Sequence, residues 1–380
     1  MGFTISDKKA YFSNKPHEPV PTPPPKLFPI CKQLKDGRHV WLSLPQPDRL
    51  TFIIPISSAV YGPTVPLDTT PGAFANDLLG YFLEEPCNAH VASNYQTLSP
   101  PKQVGATPSW KHISLHMGAR GSLVRFELLW NKAQGVRLRV ECNPRKLGHA
   151  GFTQLSAVLG GPSGPFNLET ALNTAKVTRL DICYDIVGAH ISELMIWYKQ
   201  QGKRCLYVGD DGSLETVLVF KAKPAQTLSP ATQKKASKKR VASTLLKVYD
   251  RVRERLDTGK SAPFGLAPVC RVERTPRLRQ QSLAGLSNLT NKFKMCRIGL
   301  TTTQMQPQDL AWPRYVALCR SMGEEAASQL LGLQPDQLKS FKSAAQVSLP
   351  DLLDPVEVWP HWKAGIASTG LLAFANPHGI

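Results

Sequence analysis

The sequence VTRLDICYDI, residues 177–186, decides the fold. Its apolar and polar residues alternate, and a period of two is the pattern of a β-strand whose successive side chains point to opposite faces. Leu180 and Ile182 fall on one face, while Asp181 and Asp185 fall on the other. The stretch therefore predicts a strand with one face in the core and a second face that carries acids.

Two further predicted strands carry acids in the same way. Val136–Cys142 alternates so that Glu141 lies opposite the apolar residues, and Val269–Thr275 carries Glu273 beside an arginine. A sheet face holding Glu141, Asp181, Asp185 and Glu273 supplies the hard oxygen ligands that Mg²⁺ or Mn²⁺ prefers. Such an ion polarises a phosphodiester. We therefore expect a divalent-metal site formed by these four carboxylates.

The same pattern also fits a structural role. Each acidic strand carries an arginine on the acidic face, namely Arg137, Arg179 and Arg271. Carboxylates and guanidinium groups on neighbouring strands pair readily. Counting along the strands does not separate metal ligands from ion pairs, so both interpretations stay open at this point.

The remaining signals predict an α+β fold, with an antiparallel sheet and flanking helices. Gly135 separates two apolar strands that form a predicted hairpin, and the Asp210-Asp211-Gly212 turn separates two more. Ile191–Tyr198 has apolar residues at helical spacing and predicts an amphipathic helix. The hairpin strands and the remaining predicted elements are Ser122–Trp130, Val136–Cys142, Arg204–Val208, Glu215–Phe220, Thr244–Arg251 and a helix around Phe74–Glu84.

Composition divides the chain of 380 residues into three parts. Residues 1–39 are proline-rich and predict an extended arm, whereas 40–280 hold the α+β pattern. Residues 281–380 are predicted to be a helical C-terminal region. The helices predicted there are 307–321, 323–332 and 335–346.

Basic residues outnumber acidic ones, with 46 Lys and Arg against 28 Asp and Glu and a formal charge of +18. Phosphate neutralisation is the commonest reason for such an excess. Residues 221–243 contain seven Lys or Arg and no acid, and they are predicted to form a disordered loop. The residues predicted to contact the polyanion are Lys234, Lys235, Lys238, Lys239, Arg240, Lys247 and Arg251.

Two tyrosines are candidate nucleophiles. Tyr207 comes just before the Gly209–Gly212 turn, and Tyr249 lies within a predicted strand beside Asp250 and Arg251. A phenol is a weak nucleophile near neutral pH, so nearby cations or a metal must favour its ionised form. Either tyrosine could instead serve packing or hydrogen bonding in the core.

Further sequence features limit the possible functions. His112 and His116 are four residues apart on a predicted strand and are secondary candidates for metal ligands. The segment Gly160–Gly164 lacks the Lys-Ser/Thr ending of a phosphate-binding loop, which argues against a helicase. No segment approaches the roughly 18 uncharged apolar residues of a membrane span, so we expect no membrane partner.

Taken in order, these motifs resemble the replication initiation factors of filamentous phages and small plasmids. In that family an Arg-x-Asp strand is followed by a Tyr-x-Gly segment, a Tyr-Asp-Lys…Glu segment and an Arg-x-Glu strand. Tyr207–Ser213 resembles the Tyr-x-Gly-Ser-x-x-Ser stretch that carries the nicking tyrosine. The segments that carry the resemblance are RVECNPRKL (139–147), TRLDICYD (178–185), LKVYDRVRE (246–254) and CRVE (270–273).

The resemblance implies that residues 40–280 form a DNA-nicking domain of a rolling-circle replication initiator. It implies that Tyr207 attacks one strand of origin DNA, leaving a 5′-phosphotyrosyl link and a free 3′-OH. Asp181, Glu141 and Glu273 would hold the metal. The implied partners are origin DNA and the host helicase and polymerase, in the bacterial cytoplasm.

The match to the family has departures. Asp210 replaces the usual serine, Arg251 replaces the usual lysine, and the basic segment separates the two tyrosine motifs. If Glu215–Phe220 is the Tyr-x-Gly strand instead, Leu218 takes the place of the tyrosine. That register favours a non-catalytic origin-binding protein. A conjugative relaxase would share the nicking chemistry, whereas a primase-like polymerase would give Tyr207 no role.

Overall fold

The computed structural model describes an α+β protein with a large antiparallel sheet and C-terminal helices, which confirms the predicted fold class. The chain folds into two compact units, each assembled from several segments. The described residues are 23–24, 26–34, 37–57, 96–97, 109–119, 121–131, 135–160, 166–198, 203–208, 214–220, 245–265, 267–276, 278, 281–294, 296–300, 311–322, 324–348, 351–353 and 355–376.

The first unit comprises Met1–Pro45, Cys183–Thr275 and Asn291–His361. Its main sheet has the order β10-β11-β12-β13-β8, and β2 also pairs with β8. The strands of this unit are β1 (Ile30–Gln33), β2 (His39–Leu42), the second half of β8 (Lys176–Val187), β9 (Leu194–Tyr198), β10 (Lys203–Val208), β11 (Leu214–Phe220), β12 (Leu245–Asp250), β13 (Val269–Thr275), β15 (Cys296–Leu300) and β16 (Asp351–Leu353).

The second unit comprises Gln46–Ile182, Pro276–Thr290 and Trp362–Ile380. Its sheet has the order β8-β3-β7-β6-β5-β4, with β14 also paired to β8. Its strands are the first half of β8, β3 (Gln46–Pro55), β4 (Gln96–Thr97), β5 (Ser109–Met117), β6 (Ser122–Asn131), β7 (Gly135–Cys142) and β14 (Gln281–Ser282). The predicted hairpin around Gly135 is confirmed as β6 and β7.

Helices of the second unit pack against its sheet. Their bounds are α1 (Pro144–Gly160), α2 (Leu168–Thr174), α8 (Trp362–Ala367) and α9 (Leu371–Ala375). Phe152 and Phe374 place their ring centroids 5.1 Å apart, and Phe374 lies 6.2 Å from Phe52 of β3. Leu138 and Val140 are buried while Arg139 and Glu141 are half-buried, as their alternation along β7 predicted.

The first unit contains α3 (Arg251–Asp257), α4 (Ala311–Met322), α5 (Glu324–Leu331), α6 (Pro335–Ser348) and α7 (Pro355–Val358). Asp250 caps the start of α3, where its side chain accepts a hydrogen bond of 3.0 Å from the Arg253 amide. Val252 and Leu256 of α3 pack with Val187 and Val269. This contact fixes α3 against the ends of β8 and β13.

The predicted helix Ile191–Tyr198 is wrong. The segment forms a short 3₁₀ turn, Ile191–Glu193, followed by β9, which pairs with β15. Leu194 and Ile196 alternate inward along that strand, and their partner strand lies about a hundred residues further along the chain. Tertiary pairing therefore overrides a local spacing that fits either structure.

The C-terminal region is helical but also contributes strands β14, β15 and β16. The predicted domain boundaries at 39 and 280 remain a prediction, and residues 40–280 contribute to both compact units. The predicted helix Phe74–Glu84, the loop 221–243 and most of Gly160–Gly164 lie outside the described residues. Within the described part of the chain, no helix is long and apolar enough to cross a membrane.

Candidate functional site

The first unit carries a row of polar side chains that runs across four strands. Strand register aligns Tyr207 of β10 with Thr216 of β11, Thr216 with Tyr249 of β12, and Tyr249 with Arg271 of β13. Residues paired across antiparallel strands project from the same face. Arg271 then bonds to Asp185 of β8, which extends the row to a fifth strand. We call this set the tyrosine row.

Tyr207 forms the outer end of the tyrosine row. Its strand β10 is the last in the order of this sheet, and its side chain is 53% exposed. The pairing with β11 shifts between Tyr207 and Val208, which marks a β-bulge or irregularity at this point. Bulges re-aim a side chain at the end of regular pairing. The Tyr207 side chain is therefore accessible to solvent.

Tyr249 lies two strands further in and is only 5% exposed. The Lys247 Nζ lies 4.0 Å from the centroid of its ring, a cation–π contact on the same face. A nucleophilic hydroxyl must be accessible to the phosphodiester that it attacks. The burial of Tyr249 therefore favours a packing role and leaves Tyr207 as the accessible tyrosine of the row.

The inner end of the tyrosine row is a buried ion pair. The Arg271 guanidinium donates to both carboxylate oxygens of Asp185, from Nε at 2.7 Å and from Nη2 at 3.0 Å. Both side chains are almost fully buried. The backbone of Asp185 is also fixed by Ser43, whose Oγ accepts from the Asp185 amide at 2.8 Å. The predicted metal ligand Asp185 is thus held by an arginine, as the ion-pair interpretation expects.

A second row lies one step along the same face. Register places Leu218 of β11 opposite Lys247 of β12, and Lys247 opposite Glu273 of β13. Lys247 and Glu273 are cross-strand neighbours of opposite charge, an arrangement that stabilises a sheet. The predicted metal ligand Glu273 therefore faces a lysine from the adjacent strand.

The remaining two predicted metal ligands belong to the second unit, and both contact arginines. Asp181 is buried and accepts from Arg179, with Nη2 at 2.8 Å. Glu141 accepts from Arg49 at 2.5 Å and lies 3.5 Å from the Nη2 of Arg139. These contacts match the ion-pair interpretation for both acids.

The described residues contain no group of three or more His, Cys, Asp or Glu side chains arranged to hold a metal ion. Asp181, Asp185 and Glu141 each accept hydrogen bonds from guanidinium groups, as the ion-pair interpretation expects. His116 is exposed, and its Nδ1 lies 3.0 Å from the Gly121 carbonyl oxygen. The side chain of His112 lies outside the described residues. The metal assignment stays a prediction.

The predicted polyanion contacts divide into two groups. Lys247 is half-buried beside Tyr249, and Arg251 has a side chain only 13% exposed that pairs with Glu254. Because the Arg251 guanidinium is mostly buried and paired, it is poorly placed to bind a phosphate. The remaining five, Lys234, Lys235, Lys238, Lys239 and Arg240, lie outside the described residues.

Sequence reasoning missed two residues of this region. Thr216 separates the two tyrosines in the row, and Arg253 ties α3 to β11 through Glu215 Oε1 at 2.6 Å. No signal in the sequence gives the register between strands that places them there. The tyrosine row therefore has an exposed phenol at its outer end and a buried ion pair at its inner end, so it can present a nucleophile to a phosphodiester.

No family model matches the chain, and no curated protein matches it significantly.

Proposed function

We propose that this protein is a rolling-circle DNA replication initiator that nicks one DNA strand with Tyr207. The observation that carries the proposal is the contrast within the tyrosine row: Tyr207 is 53% exposed on the outermost described strand of its sheet, whereas Tyr249 is buried. The formal charge of +18 supports a polyanionic substrate. The order of the sequence motifs supports a DNA-nicking enzyme.

The proposed reaction is a phosphodiester exchange. Tyr207 Oη attacks the phosphorus atom of an unpaired strand, so that the Oη–P bond forms as the P–O3′ bond breaks. The phenolic proton passes to solvent, and the departing 3′ oxygen takes up a proton. The protein is then joined to the 5′-phosphate, and the free 3′-OH is a primer for a host polymerase. Joining is the reverse of the same step.

The residues of the two rows have different roles in the proposed reaction. Lys247, which belongs to the neighbouring row, adds positive charge to the same face of the sheet, because Lys247 and Tyr249 are two residues apart on one strand. Arg271 and Asp185 hold the inner strands together and do not touch the DNA. Asp181, Asp185 and Glu141 accept from arginines, and Glu273 lies opposite Lys247 on the adjacent strand. The requirement for Mg²⁺ or Mn²⁺ stays a prediction that an adduct assay tests directly.

The partners follow from the chemistry. A nick at a replication origin needs double-stranded DNA with a short unpaired segment, a helicase to unwind it and a polymerase to extend the 3′-OH. We place this activity in the bacterial cytoplasm, where the implied host enzymes act.

The test uses single-stranded oligonucleotides of random sequence with a fluorophore at the 3′ end. Attack by Tyr207 transfers the labelled downstream fragment to the protein, so fluorescence should migrate with the full chain on a denaturing gel. The reaction is run with Mg²⁺, with Mn²⁺ and with a chelator. Tyr207→Phe should lose the fluorescent adduct in every condition, whereas Tyr249→Phe should keep it. An adduct that persists in Tyr207→Phe contradicts the proposal.

A non-catalytic origin-binding protein is the second candidate. It is favoured by the direct pairing of β11 with β12, which allows β11 to be aligned with the family's Tyr-x-Gly strand. Leu218 then occupies the position of the tyrosine, and no adduct forms with any variant. Salt-dependent DNA binding by the unmodified chain, without an adduct in any condition, would select this candidate.

A further inference from the structure

Three helices of the first unit form a small cluster with a core of its own. Helices α4, α5 and α6 bury one shared set of side chains: Trp312, Tyr315, Cys319, Ala327 and Phe341. The ring of Phe341 lies 5.3 Å from Trp312 in an edge-to-face contact and 5.2 Å from Tyr315. Leu331, Leu333 and Leu338 pack around this core. We call residues 311–348 the three-helix module.

The second and third helices of the module are joined by a very short turn. Residues 332–334 separate α5, of eight residues, from α6, of fourteen. Gly332 has a φ of +59°, a left-handed conformation that side chains rarely adopt. The Leu333 amide bonds back to the Ser328 carbonyl at 3.1 Å, so the turn closes directly on α5. Gln337 then caps the start of α6 by accepting from the Gln334 amide at 3.2 Å.

The first two turns of helix α6, residues 335–341, have one buried side and one exposed side. Phe341 is buried and Leu338 is half-buried, whereas Asp336, Lys339 and Ser340 are exposed. The exposed residues recur at helical spacing, so they lie on one face of the first two turns of the helix. Lysine and serine side chains on such a face reach base edges and phosphates.

We propose that the three-helix module is a helix-turn-helix reader of double-stranded DNA, with α6 as the helix that enters the major groove. The module contains a short helix, a three-residue turn with a left-handed glycine, a longer helix with a polar exposed face, and a third helix that completes the core. A helix-turn-helix places the N-terminal residues of its second helix against base edges. Lys339 and Ser340 are the residues assigned to that contact.

Duplex DNA is the ligand that the charge of the chain and the shape of helix α6 favour. The whole chain carries +18, which supplies the sequence-independent attraction to phosphate. Helix α6 has two lysines and one acid, so its own contribution is specificity more than charge. An α-helix fits the major groove of duplex DNA and has no matching groove in a single strand.

The module also has a fixed relation to the tyrosine row. Helix α4 packs against β10, the strand that carries Tyr207. Recognition of a duplex by α6 therefore sets the position of Tyr207 along the DNA. DNA reading by the module does not depend on the nicking step, since a non-catalytic origin-binding protein would use the same module.

The experiment selects duplexes from a random pool of about 20 base pairs with the full chain and then measures affinity for the enriched sequence. Lys339→Glu should weaken binding to the enriched duplex by about tenfold or more, because a base or phosphate contact is replaced by a repelling charge. Ser340→Ala should relax the preference at one base pair. Lys363→Glu is the matched control, an exposed lysine on α8 outside the module with the same change of charge.

Each result decides the inference. An enriched duplex that Lys339→Glu loses and Lys363→Glu keeps supports it. No enriched sequence, or equal weakening by both variants, overturns it. Lys339→Gln keeps a long polar side chain and introduces no repelling charge. It therefore still tests the contact if Lys339→Glu misfolds. Lys339→Glu should still form the adduct with single-stranded oligonucleotides, and Tyr207→Phe should still bind the enriched duplex, so failure of one proposal is distinguishable from failure of the other.

Discussion

Tyr207 and Tyr249 lie in the same row of one sheet, roughly 10 Å apart across two strand spacings, and yet their environments are opposite. Tyr207 is 53% exposed and Tyr249 is 5% exposed. The difference comes from strand position, since β10 is the outermost of the described strands in this sheet and β12 has neighbours on both sides. The same side chain is therefore accessible to solvent at the outer end of the row and packed in the core at its inner end.

Burial increases toward the inner end of the row. Tyr249 is packed under Lys247, and Arg271 and Asp185 form a buried two-bond ion pair that leaves each charge satisfied. Removing one partner of such a pair is costly, because the other charge is then left buried and uncompensated. The inner end thus works as an anchor that holds the strands on which the outer tyrosine depends.

The largest effect is expected from breaking the anchor. Arg271→Met leaves the Asp185 carboxylate buried without its partner, and we expect the free energy of unfolding to fall by about 3–5 kcal/mol. Chemical denaturation measures the loss. Arg38→Met is the control, because Arg38 pairs with Glu193 at a half-exposed site and should cost only about 0–1 kcal/mol. Equal losses for the two variants would mean that the buried pair is not an anchor.

The two tyrosines should differ in stability when each is truncated. Tyr249→Ala removes a buried ring and is expected to cost about 3–5 kcal/mol. Tyr207→Ala removes an exposed ring and should change the free energy of unfolding by less than about 0.5 kcal/mol. Thermal unfolding of both variants gives the comparison, and a larger loss for Tyr207→Ala would reverse the assignment of inner and outer ends.

Buried thiols on inner strands predict a loss of stability at alkaline pH. Burial, with a contribution from Glu141, raises the pKa of Cys142 on β7 to about 12. The unfolded thiol ionises above about pH 9, so stability should fall as the pH rises from about 9 toward about 12. Across this pH range, the free energy of unfolding should fall less in Cys142→Ala than in the unmodified protein. An identical fall in both proteins would contradict the prediction.

A smaller effect is expected from the basic segment. Deleting 224–240 removes five of the residues predicted to contact DNA, and the slope of log affinity against log salt should become less steep by about 0.9 for each lost phosphate contact. Titrations of a labelled duplex at several salt concentrations give the slope. An unchanged slope would mean that this segment does not touch DNA.

Much of the sheet could be predicted because its strands alternate strictly. β7 and β8 keep their apolar residues on the predicted face, and Gly135 marks the hairpin that joins β6 to β7. The prediction failed at β9, where Leu194 and Ile196 follow a helical spacing by coincidence and their partner strand β15 is remote in sequence. Local pattern does not report pairing across a hundred residues.

The candidate site could be predicted only in part, for a similar reason. Alternation gave the faces of Asp181 and Asp185 correctly but not their burial, which follows from what packs over both faces of β8. Register between strands aligned Tyr207 with Thr216 and Tyr249, and no sequence pattern contains that register. The turn at Gly332 was predicted as the end of a helix but not as the joint of a three-helix module.

The most direct test of the proposed nicking activity identifies the tyrosine that carries DNA. The oligonucleotide adduct is digested with trypsin and nuclease, and mass spectrometry locates the residual nucleotide. Cleavage after Arg204 and Lys221 isolates Tyr207 in peptide 205–221, and cleavage after Lys247 and Arg251 isolates Tyr249 in peptide 248–251. We expect the nucleotide on peptide 205–221, whereas a nucleotide on peptide 248–251 would contradict the assignment of Tyr207 as the nucleophile.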